Sequence, residues 1–249
     1  MSPVAEFRPC IVIPYFDHPR TIAATLAGLR SLALPCWVAD DGSSAEAALA
    51  LVEATRGQSD WVTVLRHPVN QGKGAAVLSA CRAAATAGHT HALQVDADGQ
   101  HALGDAPRLL GLSRDKPRAL VLGEPRFDES VPRSRLYGRQ ATHVWVWINT
   151  LSLSIRDSMC GFRVYPIAGL LDVADRERIG LRMQFDTEVA VRLYWRGTPV
   201  VNAPTRVVYP VGGVSHFNLW RDNLRIAAMH TRLFFGMLRR LPRLLGRAR

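Results

Sequence analysis

His91-Ala92-Leu93-Gln94-Val95-Asp96-Ala97-Asp98-Gly99-Gln100 runs a short apolar segment straight into two carboxylates and a turn. The apolar part reads as a buried strand that empties its acidic end into a cleft. Asp96 and Asp98 stand one small residue apart, and Gly99 lets the chain turn so that Gln100 folds back toward the same point. An oxygen cluster of this kind suits a hard divalent cation. Mg²⁺ or Mn²⁺ takes one or two carboxylates and leaves its other positions to water and substrate phosphates. A diphosphate leaving group is therefore the natural partner. An isolated Asp-x-Asp is more often a solvated turn, so the surroundings decide.

Upstream, the same grammar repeats. Cys10-Ile11-Val12-Ile13-Pro14 is a β-branched run closed by proline, and Thr21 to Leu32 carries apolar residues at helical spacing. Cys36-Trp37-Val38-Ala39 delivers Asp40-Asp41-Gly42-Ser43-Ser44, a turn and helix N-cap, before a helix from Ala45 to Thr55. Trp61-Val62-Thr63-Val64-Leu65 is the third strand. Asn70-Gln71-Gly72-Lys73-Gly74 then opens an alanine-rich helix, with backbone amides and an ammonium aimed at an anion. It lacks the Gly-x-x-x-x-Gly-Lys-Ser/Thr spacing of a Walker loop. Four strand-helix units in succession predict an α/β protein with a mostly parallel, doubly wound sheet whose ligands gather at the carboxyl ends of the strands. Pro14, Asp41 and Asp96 all fall at such ends.

Downstream, Ala106 to Leu112 reads as helix and Ala119-Leu120-Val121-Leu122-Gly123 as a fifth strand. Arg126, Arg133, Arg135 and Arg139 precede an aromatic, apolar helical run, His143 to Ile148. Phe185-Asp186-Thr187-Glu188 opens a helix to Trp195, and Thr198-Pro199-Val200-Val201 and Arg206-Val207-Val208-Tyr209 are extended. From Phe217 to about Leu241 the pattern is helical again.

The 249 residues suit one α/β domain with an appendage, and 48% hydrophobic content suits a packed core. No run of about 18 apolar residues predicts a membrane span. The opening Met1-Ser2-Pro3-Val4-Ala5-Glu6-Phe7-Arg8 has no basic start followed by an apolar segment, so no secretory signal is expected. Cys10, Cys36, Cys81 and Cys160 are scattered, which points to reduced thiols in a cytoplasmic protein and excludes a zinc site. The formal charge of +10 is concentrated in the tail, where Arg221, Arg225, Arg232, Arg239, Arg240, Arg243, Arg247 and Arg249 face one acid, Asp222. Such a tail wants an anionic surface.

Val12-Ile13-Pro14, Val38-Ala39-Asp40-Asp41-Gly42-Ser43, Asn70-Gln71-Gly72-Lys73-Gly74, Asp96-Ala97-Asp98-Gly99-Gln100 and Asp157 with Gly161-Phe162-Arg163 occur in one register. In this the sequence resembles family 2 glycosyltransferases of the GT-A fold, in the branch of dolichyl-phosphate mannose synthase and bacterial polyprenyl-phosphate glycosyltransferases. The resemblance spans roughly residues 9 to 216. It implies a GT-A catalytic domain over 1–216, with 217–249 as a basic amphipathic helical tail. It also implies a UDP- or GDP-linked sugar donor, a lipid-phosphate or other hydrophobic acceptor, and inversion at the anomeric carbon.

Residue by residue, the resemblance implies that Asp41, with Asp40, meets the nucleotide base, and that Pro14 and Phe16 line the same pocket. Lys73, Asp96 and Ala97 are implied on the nucleotide sugar, and Asp98 with Gln100 on the Mg²⁺ or Mn²⁺. Arg139 and Arg163 match basic positions near the acceptor or donor phosphate. Where the family usually has Thr-Tyr-Asn-Glu, this chain has Tyr15-Phe16-Asp17-His18, so His18 replaces a carboxylate. The usual arginine before Gly-x-Ser-Lys is missing from Tyr209-Pro210-Val211-Gly212-Gly213-Val214-Ser215-His216, leaving His216 in the lysine's place and Arg206 as a substitute.

A lipid phosphate is already ionised and needs no general base, whereas an alcohol needs one. Asp157 and Glu188 are the available carboxylates. Asp157 is favoured as base, and Glu188 reads as a helix N-terminal acid. In the tail, Phe217, Leu219, Trp220, Leu224, Ile226, Leu233, Phe234, Phe235, Met237, Leu238, Leu241, Leu244 and Leu245 between arginines make an amphipathic helix that suits the cytoplasmic face of a membrane, or else one packed on the domain. Two other functions compete. A sugar-nucleotide nucleotidyltransferase would need a glycine-rich N-terminal loop where Pro14-Tyr15-Phe16 stands. A non-catalytic basic membrane or nucleic-acid module would leave the Asp-x-Asp-x-Gln set unexplained; no nucleic acid is expected.

Overall fold

The computed structural model describes residues 6–127, 131, 133–207 and 219–246, without the side chains of 133–135 and 219. Seven strands form one sheet in the order β3-β2-β1-β4-β6-β5-β7. These are β1 (Pro9–Tyr15), β2 (Cys36–Asp40), β3 (Val62–Arg66), β4 (His91–Gln94), β5 (Leu120–Phe127), β6 (Arg163–Pro166) and β7 (Val200–Val207). β1 pairs in parallel with β2 and β4, β2 with β3, and β5 with β7. β6 alone among them runs antiparallel, inserted between β4 and β5. Its reversal delivers the loop before Arg163 to the carboxyl ends of the parallel strands, where the acidic turn after β4 also lies.

Alternation along β1 sorts the core into two layers. Cys10 and Val12 face α3 (Lys73–Thr86), α6 (Ile167–Arg176) and α7 (Phe185–Trp195), together with Val146 of α5 (Arg133–Thr150) and Met229 and Leu233 of α8 (Leu219–Leu238). Ile11, Ile13 and Tyr15 face α1 (Ile22–Leu29), α2 (Ala45–Thr55) and α4 (Ala106–Asp115). The sheet is thus covered on both faces, which explains the near-continuous apolar strands. A last short helix, α9 (Leu241–Leu245), buries Leu244 in the first layer.

The expected strands and helices up to residue 123 are present with shifts of no more than four residues at their ends. Three features differ downstream. β6 and α6 were not anticipated; Val164 to Pro166 is too short to declare itself outside its neighbours. The described parts of the two extended segments expected at 198–201 and 206–209 meet in the single strand β7, whose eight residues pair with β5. The apolar run at 143–148 is the C-terminal part of the much longer α5.

The boundary expected at 216/217 lies outside the described residues, as do His216, Pro210 and the arginines 247 and 249. α8 packs on α5 through Trp145, whose ring lies 6.0 Å from His230 and 6.5 Å from Phe234. It is tied to α7 by Arg232 Nη2, which donates to Glu188 Oε2 at 3.2 Å. Trp220, Leu224, Phe235 and Leu238 project from its opposite side and are 84%, 68%, 57% and 46% exposed. Among the described residues no helix is long and apolar enough to cross a membrane. The four cysteines are all free and buried.

Candidate active site

A cleft of about 580 Å³ opens at the carboxyl end of the sheet. Its floor begins at the end of β1, where Pro14, Tyr15, Phe16 and His18 line it. The Tyr15 hydroxyl donates to the carbonyl of Ala47 at 2.6 Å, and burial pushes its pKa up to about 12, so it stays a phenol. Asp17, with φ of 51°, accepts from the Ser44 amide at 2.8 Å and ties this loop to the turn after β2.

That turn separates the two neighbouring acids. Asp40 is buried beneath the cleft, accepting from the Ser43 amide at 3.0 Å and lying 3.5 Å from Arg66 Nη1. Asp41 reaches the cleft wall. Its Oδ1 accepts from the Gln71 amide at 2.9 Å and Oδ2 from the Gly72 amide at 2.7 Å. His67 braces it, with Nδ1 2.8 Å from Asp41 Oδ1 and Nε2 2.9 Å from Ser79 Oγ.

The glycine loop therefore does not hold out its amides to an external anion. Gln71 and Gly72 donate to Asp41, and the Gly74 amide donates to the carbonyl of Leu181 at 2.8 Å. Gly72 has φ of +109°, and a side chain there would strike the Leu181 carbonyl. Lys73 is likewise engaged inside the protein: Nζ lies 2.8 Å from Asp96 Oδ2 and 2.6 Å from Asp186 Oδ2. Burial alone would lower the ammonium pKa, but Asp186 and Asp96 drive it well above its ordinary value. Burial would raise the Asp96 carboxyl, yet Lys73 and His101 hold it far below the usual carboxylate range.

Past Asp96, Thr21 Oγ1 donates to the Ala97 carbonyl at 2.5 Å, and Gly99 turns with φ of +73°. The Gln100 amide then donates to Asp98 Oδ1 at 3.0 Å. Asp96, Ala97, Asp98 and Gln100 all line the cleft, as sequence reasoning places them. His101 continues the wall, stacked on Phe162 with centroids 5.2 Å apart and Nε2 3.6 Å from Asp96 Oδ2. Its bridge to Val207 fastens this loop to the end of β7.

The structure corrects the two residues expected from the next motif. Asp157 does not line the cleft, and its carboxylate is fully subscribed. Arg139 donates to it twice, at 2.5 and 2.7 Å, the Met159 and Cys160 amides donate at 2.9 and 2.8 Å, and His143 Nε2 lies at 3.1 Å. Burial would raise its pKa, but His143 and Arg139 hold it well below the usual range. With its oxygens occupied it anchors the 157–161 loop, which leaves no lone pair aimed at an acceptor proton. Arg163 is 0% exposed and is also absent from the cleft wall. It donates to the carbonyls of Cys160, Ser158 and Asp186, supporting the loop from below. Arg139 does reach the cleft, with its guanidinium 5.1 Å above the Phe127 ring. Glu188, 0% exposed, accepts from Arg192, Arg232 and the Gly180 amide and serves the α7–α8 contact.

Sequence reasoning missed Asp186, Arg182, His101, Arg221 and Arg225, all on the cleft wall. Asp186 was visible as a first-turn acid of α7, but nothing local links it to Lys73. Arg221 and Arg225 read as tail surface because the residues that line the same cleft are remote from them in sequence.

This architecture is the GT-A arrangement: a mostly parallel seven-stranded sheet, flanked by helices, with its cleft at the strand ends. Residues 10–176 match the family described as glycosyl transferase family 2, and the chain belongs to that family. It is a glycosyltransferase, which decides against a nucleotidyltransferase or a non-catalytic module. Among curated proteins none matches the sequence.

Among solved structures the chain is similar to glucosyl-3-phosphoglycerate synthase from Mycobacterium tuberculosis in complex with phosphoglyceric acid. The TM-score is 0.64 at 17% identity, covering 95% of this chain and 80% of that one. The same enzyme with Mn²⁺, UDP-glucose and phosphoglyceric acid matches with a TM-score of 0.62 at 17% identity, with the same coverage. The mannosyltransferase PcManGT from Pyrobaculum calidifontis, in complex with GDP-mannose and Mn²⁺, also gives 0.62. There the identity is 15%, covering 95% of this chain and 69% of that one.

Proposed function

We propose that this enzyme transfers a sugar from a UDP- or GDP-linked donor to a lipid-phosphate or other hydrophobic acceptor, with inversion, at the cytoplasmic face of a membrane. The observation that carries the reading is one cleft shared by the Asp96-Ala97-Asp98-x-Gln100 set and by α8, a helix whose outer face is apolar. UDP-glucose, GDP-mannose and Mn²⁺ in the similar structures support a nucleotide-sugar donor and a divalent metal.

The donor set fits Mg²⁺ or Mn²⁺. Asp98 and the Gln100 side chain are hard oxygen donors on the cleft wall, and among the described residues no group of three His, Cys, Asp or Glu could hold a metal alone. Remaining ligands would come from diphosphate and water, as is usual for these ions. When bound, the metal supplies positive charge for the diphosphate leaving group. Lys73 keeps Asp96 ionised and holds Asp96 and Asp186 beside it, while Pro14, Phe16 and Asp41 wall the nucleotide side. In the transfer, an acceptor oxygen forms the new bond to the anomeric carbon as the carbon–oxygen bond to the nucleoside diphosphate breaks, its electron pair leaving with the diphosphate. An ionised phosphate acceptor has no proton to remove, which agrees with Asp157 and Glu188 being engaged elsewhere.

A thermal-shift screen of UDP, GDP, CDP and dTDP with Mn²⁺, Mg²⁺ or EDTA tests the donor side. A ligand at about 100 times its dissociation constant adds roughly 2.7 kcal/mol. The expected result is a metal-dependent shift with UDP or GDP that Asp98→Ala abolishes; no shift with any nucleotide overturns the reading.

A further inference from the structure

We propose that the first two turns of α8 form the subsite for an anionic group of the acceptor, a phosphate ester, held by Arg225 and Arg221. This rests on the transferase reading above. The region was expected to be a tail acting outside the catalytic domain, yet Arg221, Asp222, Arg225 and Ile226 line the same cleft as Asp96 and Asp98. Residues four apart on a helix lie one turn above each other, so the two arginines leave the same face of α8 toward the cleft.

Most of the cleft's other cations are committed inside the protein. Lys73 is held by Asp96 and Asp186, Arg139 by both oxygens of Asp157, and Arg182 donates twice to Asn70. Arg225 differs. Among the described residues it makes one hydrogen bond, from Nη1 to Asp222 Oδ1 at 2.8 Å, and its side chain is 39% exposed. A guanidinium carries five donor hydrogens in a planar fork, so one bond leaves the rest for a ligand. Asp222, whose side chain is 5% exposed, is the fixed partner that aims it.

Two arginines one turn apart suit a multi-oxygen anion, which they can grip by several charge-assisted hydrogen bonds. The cleft also needs such a pair. A donor diphosphate already brings negative charge beside Asp96, Asp98 and Asp186, and a second anion enters only against compensating positive charge. Ile226 on the same wall and the exposed Trp220 and Leu224 on the outer side of the helix suit a phosphate borne on an apolar chain.

The test uses the full chain and titrates inorganic phosphate and a short-chain prenyl phosphate, in the presence of the nucleotide and metal that bind in the donor screen. Arg225→Gln, Arg225→Lys and Arg221→Gln are compared with Arg239→Gln, an exposed arginine in the turn just after the same helix and away from the cleft. Binding of the prenyl phosphate is expected to weaken at least tenfold in Arg225→Gln, less in Arg221→Gln and Arg225→Lys, and not in Arg239→Gln, while nucleotide affinity stays unchanged. Retained nucleotide binding shows that the variants are folded. Inorganic phosphate competing at the same site with the same variant pattern identifies the phosphate itself as the recognised group. Weakened vesicle binding with unchanged prenyl phosphate affinity identifies a membrane headgroup contact instead and overturns the proposal. So does equal loss in Arg239→Gln, a loss of nucleotide affinity in Arg225→Gln, or no binding of either phosphate by the unmodified chain. Failure of the unmodified chain to bind any nucleotide is a separate result, and it removes the transferase reading beneath.

Discussion

Arg139 grips Asp157 with two parallel hydrogen bonds, Nε to Oδ2 at 2.5 Å and Nη2 to Oδ1 at 2.7 Å, and so makes an expected general base into the anchor of a loop. The pair is largely buried, at 16% and 4% side-chain exposure, so breaking it leaves an uncompensated charge. Asp157→Asn is expected to cost about 3 kcal/mol of stability. Differential scanning calorimetry on this variant should show a fall in Tm of roughly 6–12 °C for a chain of this size. An unchanged Tm with a collapsed kcat would instead return Asp157 to the role of base.

Gly161 faces the carboxylate of Asp96 so closely that a side-chain carbon would occupy the same space. Gly161→Ala must push Asp96 away from Lys73 or displace the 157–161 loop. Donor affinity is expected to fall at least tenfold, measured by nucleotide titration with metal, with a smaller effect on Tm than in Asp157→Asn. Full donor affinity would show that the loop yields freely.

His230 links acidity to stability. Burial lowers its pKa to about 4 from an ordinary 6.5, against a small opposing pull from Glu188. Between those values the unfolded chain binds the extra proton and the folded chain does not, so stability rises with pH across the window and falls on acidification from 6.5 toward 4. The full effect is on the order of 3 kcal/mol. Urea unfolding from pH 7 to pH 4.5 should show the loss, and His230→Gln should flatten that part of the profile. An unaltered slope in the variant would assign the acid sensitivity elsewhere.

The outer face of α8 bears on membrane attachment. Trp220 and Leu224 are exposed and add nothing to the core, so Trp220→Glu with Leu224→Glu should leave stability within about 0.5 kcal/mol. If the face docks on lipid, flotation with vesicles containing anionic phospholipid should drop several-fold, and nucleotide binding should stay intact. Equal flotation would leave the apolar face without a lipid role.

The alternation of apolar runs and turn residues up to residue 123 was enough to place five strands, their helices and the acidic turn at Asp96, because strand and helix periodicity are local properties. The chemical character of the Asp-x-Asp-x-Gln cluster was equally legible, since ligand hardness depends on residue type. Pairing was not legible. Whether Lys73 meets a ligand or Asp186, whether Asp157 is a base or the partner of Arg139, and whether Arg163 touches substrate or lies beneath it all depend on β6 inserting antiparallel between β4 and β5. That insertion brings the 157–163 loop under the cleft, and burial then obliges each charged group to find a partner. The same holds for α8: its composition declared a basic amphipathic helix, but only packing against α5 and α7 turned Arg221 and Arg225 into the cleft and left Trp220 facing outward.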